Sequence, residues 1–114
     1  MSDPLKASVR KHDAIAIIDL EGEVTSFADE IINSLVNTTV SEGFQQIVLN
    51  FTDISYINSS GIAILIGVVT SPSNKAVTFR VYGLTSHFKK IFRMIGLTQY
   101  VNVLVTEEEA LSAS

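Results

Sequence analysis

Side chains suited to catalysis are scarce in this sequence. It has no GxxxxGK loop to cradle a nucleotide phosphate, no GxGxxG turn, no GxSxG elbow and no HExxH helix for a metal. Its two histidines, His12 and His87, fall on an expected hairpin turn and on the polar face of an expected helix, and neither is placed near a candidate nucleophile. Both read as surface histidines. Lys89, Lys90 and Arg93 form the basic cluster of note, and three cations on an amphipathic helix describe a solvated face. What remains is Asn58-Ser59-Ser60-Gly61, three small polar side chains and a glycine leading directly into an apolar run. Capping accounts for one of the polar residues, whose side-chain oxygen would accept from a free N–H of the first helical turn, and close packing accounts for the glycine. Neither explains Ile62, Ile64, Leu65, Ile66, Val68 and Val69, which place apolar groups on more than one side of that helix. Either the domain buries both sides or one side meets a partner.

Hydrophobic periodicity sets the elements that carry this corner. Ala7 to Val9 and Ala14 to Leu20 are β-compatible runs joined at His12-Asp13, which predicts an opening hairpin, and Glu21-Gly22-Glu23 breaks the second run. Ser26-Phe27-Ala28-Asp29 has the form of a capping box with Ser26 as the cap. The helix it opens carries Ala28, Ile31, Ile32, Leu35 and Val36 in one stripe. Ile47 to Phe51 reads as a central strand covered on both faces. Ile62 to Thr70 forms a second helix, ended by Ser71-Pro72-Ser73-Asn74, and alternation at Val77, Phe79 and Val81 predicts a strand. Thr85 or Ser86 caps a third helix whose Phe88, Ile91, Phe92 and Ile95 face inward, with Gly96 as its stop. Tyr100 to Val105 is a last strand, and Thr106 with Glu107 to Glu109 opens a short terminal helix whose acids suit its dipole. Strands alternating with helices predict parallel βαβ pairing, hence a mixed sheet with helices packed against it.

Composition bounds the function classes. A chain of 114 residues is expected to form one domain, and 46% hydrophobic against 18% charged residues excludes a disordered segment. Without cysteine there is no disulfide framework, thiolate zinc site or Cys nucleophile. Eight Lys and Arg against twelve Asp and Glu, a net charge of −4, argue against a nucleic-acid partner. From Ile54 to Asn74 the sequence is uncharged, but Asn58, Ser59, Ser60, Ser71, Pro72, Ser73 and Asn74 interrupt it. Its continuous apolar part, Gly61 to Val69, is too short for membrane insertion. The opening MSDPLKASVRK has no apolar run of signal-peptide length, so a cytoplasmic protein is expected.

With the opening hairpin, three segments resemble the anti-sigma factor antagonists of the STAS domain family: LEGEV at Leu20 to Val24, IVLNFTDISYINSSGIAILIGV at Ile47 to Val68, and FRVYGLTSHFKKIFRMIGL at Phe79 to Leu97. The resemblance runs over almost the whole chain, read as a single STAS domain over 1–114, and its most specific element is Ser-Ser-Gly opening an apolar helix after a strand and spacer. It implies an α/β fold, a STAS-like mixed sheet of about five strands with helices packed mainly on one face. It also implies partner switching in transcription regulation. In that family the unmodified antagonist binds an anti-sigma factor that is also a serine kinase and so frees the sigma factor. The kinase phosphorylates the first serine of an Asp-Ser-Ser/Thr-Gly motif, and a serine phosphatase restores it.

Carried over by position, Ser59 matches the phosphoacceptor, Ser60 the small variable position and Gly61 the glycine. Asn58 stands where the family usually has Asp, and Thr25 where an acidic residue is common after the Gly-Glu turn. The partner-binding residues implied are Asn58, Ser59, Ser60, Gly61, Ile62 and Leu65, with Thr25 and Ser26 beside them. No cofactor or metal is implied. The alternative is a non-phosphorylated STAS assembly subunit, similar to those of lipid-transport or stress-scaffold complexes, and Asn58 is the residue in its favour. An enzyme is not expected, because no activating base, metal set or phosphate loop is visible.

Overall fold

In a computed structural model of the protein, which describes residues 4–112, the chain opens on the expected hairpin. Strand β1 (Lys6–His12) pairs antiparallel with β2 (Ile15–Val24), from Lys6 opposite Glu21 to His12 opposite Ile15. Met1, Ser2 and Asp3 of the N-terminal stretch, and Ala113 and Ser114, lie outside the described residues. Strand β2 does not stop at Leu20. The expected break at Glu21-Gly22-Glu23 is a pair of irregularities inside the strand, whose register slips between Asp19 and Glu21 and again between Gly22 and Glu23, with Gly22 at a φ of 106°.

The capping box expected at Ser26 does not form either. Because β2 runs on to Val24, Thr25 is the last extended residue, and its Oγ1 accepts the Phe27 N–H at 3.4 Å. Ser26 therefore lies inside a 3-10 turn, Ser26–Ala28, which leads into α1 (Asp29–Ser41). Helix α1 buries Ile32, Val36 and Thr39, the last returning its hydroxyl to the Leu35 carbonyl at 2.7 Å, whereas Ile31 sits at the margin. Strand β3 (Gln46–Ile57) extends well beyond the Ile47 to Phe51 run, and Asn58 joins it to α2 (Ser59–Thr70). After β4 (Thr78–Tyr82), Thr85 caps α3 (Ser86–Met94) by accepting the Phe88 N–H at 3.1 Å, and Gly96 follows at a φ of 82°. Strand β5 (Val101–Val103) is shorter than expected. Helix α4 (Glu107–Ser112) opens on a reciprocal box in which Thr106 accepts the Glu109 N–H at 3.2 Å and Glu109 accepts the Thr106 N–H at 3.1 Å.

The sheet has the order β1-β2-β3-β4-β5, antiparallel in its first pair and parallel in the rest. Helices α1, α2 and α3 cover one face, where Val36, Leu65, Val68, Phe88 and Phe92 pack on Ile18, Ile47, Leu49, Phe51, Phe79 and Val81. Helix α4 covers part of the other, setting Ala110 and Leu111 over Ile15, Ile17, Val48 and Tyr82. Strand β3 thus has Ile47 and Leu49 buried on one side and Val48 on the other, the two-sided burial expected of a central strand. The layout is the α/β mixed sheet of five strands, with helices mainly on one face.

A polar clasp ties α4 to the far edge of the sheet. Arg10 on β1 donates from Nε and Nη2 to both oxygens of Asp19, at 2.6 and 2.8 Å, and from Nη2 to Glu107 Oε1 at 2.6 Å. Tyr82 donates its hydroxyl to the same Glu107 oxygen at 2.7 Å, and Asn50 donates Nδ2 to Asp19 at 2.7 Å. The Arg10 hydrogen bonds hold the Asp19 and Glu107 carboxyls below the usual carboxylate range, while burial and then Glu107 push the Tyr82 hydroxyl up.

Candidate functional site

Strands β2 and β3 are parallel neighbours that end together, Val24 opposite Ile57. Their carboxyl ends lead into the turns at Thr25-Ser26-Phe27 and Asn58-Ser59-Ser60, which therefore emerge side by side. This end of a parallel α/β sheet is where such folds place their sites. The Asn58 N–H ties the corners together by donating to the Val24 carbonyl at 3.2 Å.

Each residue of the Asn58–Gly61 motif has a distinct place. Asn58 is extended, at φ −103° and ψ 179°, and its Oδ1 accepts the Gly61 N–H at 2.9 Å while its carbonyl accepts the Ile62 N–H at 2.9 Å. It is the N-cap of α2. Gly61 is buried, and a Cβ there would lie 2.0 Å from the Val24 carbonyl oxygen and 2.9 Å from Val24 Cγ1. Only a residue without a side chain lets the first turn of α2 come down onto the end of β2. Capping and close packing are thus both real, and Asn58 and Gly61 supply them. Ser59 and Ser60, the first two residues of the helix, are exposed, and neither hydroxyl enters a hydrogen bond among the described residues.

Of the apolar residues that follow, Gly61, Leu65 and Val68 make one stripe facing the sheet, at i, i+4 and i+7. Leu65 was expected on the docking surface, but at 3% exposure it is a core residue, because this stripe is the one that meets the sheet. Ile62, Ile64, Ile66 and Val69 are half-buried against the core margin. The outward stripe is Ser59, Ala63, Gly67 and Thr70, a line of small side chains that a partner could approach closely.

Phe27 escaped the sequence reading. It stands 86% exposed on the 3-10 turn next to this corner, with its backbone held by Thr25, and Ile31 and Tyr56 are further exposed apolar groups on α1 and β3. Its signal in the sequence was an aromatic side chain outside the buried stripe of α1. A second missed signal is charge segregation. From Ala14 to Asn74 there is no Lys, Arg or His, while Asp19, Glu21, Glu23, Asp29, Glu30, Glu42 and Asp53 all fall in that stretch. The elements that build the corner therefore carry charge of one sign.

The comparisons with known proteins agree with this architecture. A family model described as the STAS domain matches residues 6–110. The structure is similar to that of an anti-sigma factor antagonist from Mycobacterium paratuberculosis, with a TM-score of 0.82 and 18% identity over 98% of this chain and 97% of that one. It is also similar to the anti-sigma factor antagonist SpoIIAA in its unphosphorylated form, with a TM-score of 0.73 and 25% identity over 93% of each chain. The phosphorylated form of SpoIIAA, a Bacillus cell fate determinant, aligns with a TM-score of 0.69 and 25% identity over 93% of this chain and 96% of that chain.

Proposed function

Because this chain belongs to the STAS domain family, we propose that it is an anti-sigma factor antagonist that acts in the cytoplasm by partner switching. In this reading the unphosphorylated form binds an anti-sigma factor that is also a serine kinase. The kinase moves the γ-phosphoryl group of ATP onto Ser59 Oγ, ADP leaves, the hydroxyl proton is released, and the partner dissociates. A serine phosphatase hydrolyses the ester and restores the binding form.

One observation carries the reading: Asn58 and Gly61 already serve the fold, and Ser59 stands exposed beside them with a hydroxyl that the helix does not need. Similarity to both the unphosphorylated and the phosphorylated forms of SpoIIAA supports it. The docking surface would consist of Asn58, Ser59, Ser60 and Ile62 with Thr25, Ser26 and Phe27 on the adjacent corner, and Gly61 would hold the two corners together. This surface binds rather than catalyses. Among the described residues no helix is long and apolar enough to cross a membrane.

Phosphorylation would add about −1.5 to −2 charge at a contact built from small and apolar groups. An uncompensated charge in such a contact costs roughly 3–5 kcal/mol, about two to three and a half decades in affinity. Incubation with the copurifying kinase and ATP, followed by mass spectrometry, should place one phosphate on Ser59. A product modified elsewhere, or not at all, refutes the switch. Ser59→Asp should weaken the complex while leaving the circular dichroism spectrum unchanged.

Asn58 favours a second reading, that of a constitutive STAS assembly subunit that is never phosphorylated. Copurification separates the two: a kinase-like ATPase supports the switch, whereas a transporter ATPase or a large scaffold supports the assembly.

A further inference from the structure

Resting on the reading that Ser59 is phosphorylated, we propose that Asn58 makes this corner tolerant of the phosphate, capping α2 in both states while sparing the phosphate the repulsion of a neighbouring carboxylate. Phosphoserine 59 then takes up its second negative charge at a lower pH than it does beside an aspartate.

Three observations lead there. Asn58 spends its Oδ1 on the Gly61 N–H at 2.9 Å, a role that a carboxylate oxygen would fill equally well, so the cap does not require an amide. The amide leaves Nδ2 as a donor without an acceptor among the described residues, and the next residue is Ser59. Finally, β2, α1, β3 and α2 contain no Lys, Arg or His, so none of them offers the phosphate a cation. With no side-chain cation on these elements, a carboxylate at the cap would add directly to the repulsion a phosphate meets.

The titratable groups on the elements around α2 are Asp19, Glu21 and Glu23 on β2, Asp29 and Glu30 on α1, Asp53 and Tyr56 on β3, and Lys75 beyond the far end of the helix. All of them are the same whether residue 58 is Asn or Asp, so a comparison of the two isolates the cap. A unit charge one residue away, on the order of 7 Å in water-like surroundings, moves the second ionisation of a phosphate by about half a pKa unit.

Phosphoserine incorporated at position 59 of the full chain by an expanded genetic code, without and with Asn58→Asp, tests this without any kinase. A 31P NMR titration should give a second ionisation about half a unit lower in the protein that keeps Asn58, with the difference shrinking as salt is added. Circular dichroism of the phosphoserine protein that keeps Asn58 and of its unmodified counterpart should superimpose, because Asn58 caps α2 in both states. Superimposable titrations overturn the proposal, as would a loss of helical signal when the phosphate is introduced beside Asn58. The kinase experiment is separate: failure of the kinase to modify Ser59 would remove the switch but leave this electrostatic result intact.

Discussion

A methyl group added at Gly61 should destabilise the protein, although alanine is the better helix former. The new Cβ would lie 2.0 Å from the Val24 carbonyl oxygen and 2.6 Å from its carbon. Carbon and oxygen in non-bonded contact need about 3.3 Å, so the first turn of α2 must retreat by roughly 1.3 Å. That retreat opens the Asn58 N–H to Val24 bond, now 3.2 Å, beyond hydrogen-bonding range. Overpacking of this kind costs about 1–3 kcal/mol and the lost bond about 1 kcal/mol, against about 1 kcal/mol gained from helix propensity. The net is a loss of roughly 1–3 kcal/mol, which for a domain of this size lowers the melting temperature by about 4–12 °C. Gly67 on the same helix is the control, because a Cβ there meets nothing within 4 Å. Gly67→Ala should raise the melting temperature by up to about 4 °C. Melting followed by circular dichroism reads both. If Gly61→Ala melts at or above the unmodified protein, α2 is not seated on Val24 and the argument for the motif fails.

Phe27→Ala should weaken the partner complex tenfold or more, as loss of an exposed aromatic anchor does, while leaving the melting temperature within about 2 °C. Unchanged affinity in a titration would remove Phe27 from the docking surface. Arg10 holds the Asp19 and Glu107 carboxyls below their ordinary range, so their contribution to stability is complete above that range and is lost as the pH falls through the lowered folded values. Arg10→Gln should therefore flatten the acid limb of the stability curve in urea denaturation, and an identical acid limb would contradict the clasp. These side chains are substantially exposed, so the effect at neutral pH should be small.

Local signals were the legible part of the fold. A cap of α3 at Thr85 or Ser86, Gly96 after its end and a helix start at Thr106 each depend on chemistry within a few residues and can be recognised in the sequence, whereas the choice of Thr85 and the reciprocal box between Thr106 and Glu109 emerge only in the structure. The misreadings around β2 share one cause, which is pairing with a distant strand. Glu21-Gly22-Glu23 has the composition of a break, yet β3 holds it in the ladder through two slips of register. That extra length moved the cap from Ser26 to Thr25 and put Phe27 into solvent. At the candidate site, Asn58–Gly61 stood out for its composition, but the division of labour within it did not. That division depends on Val24, whose carbonyl excludes a side chain at Gly61 from 37 positions away. Leu65 was misplaced because a helix apolar on most sides gives no periodic hint of which stripe faces the sheet.

The Arg10 clasp has a consequence in time as well as in energy. Its bond to Glu107 joins residues 97 apart, so it forms only when the first strand and the last helix have both arrived. Contacts that close so long a loop follow the βαβ pairings of the interior, and bonds absent from the folding transition state act on the rate of opening. The Glu107 bond of the clasp therefore acts, modestly, on how long the native chain stays shut rather than on how quickly it is reached. Cutting it should speed unfolding and leave the refolding rate where it was.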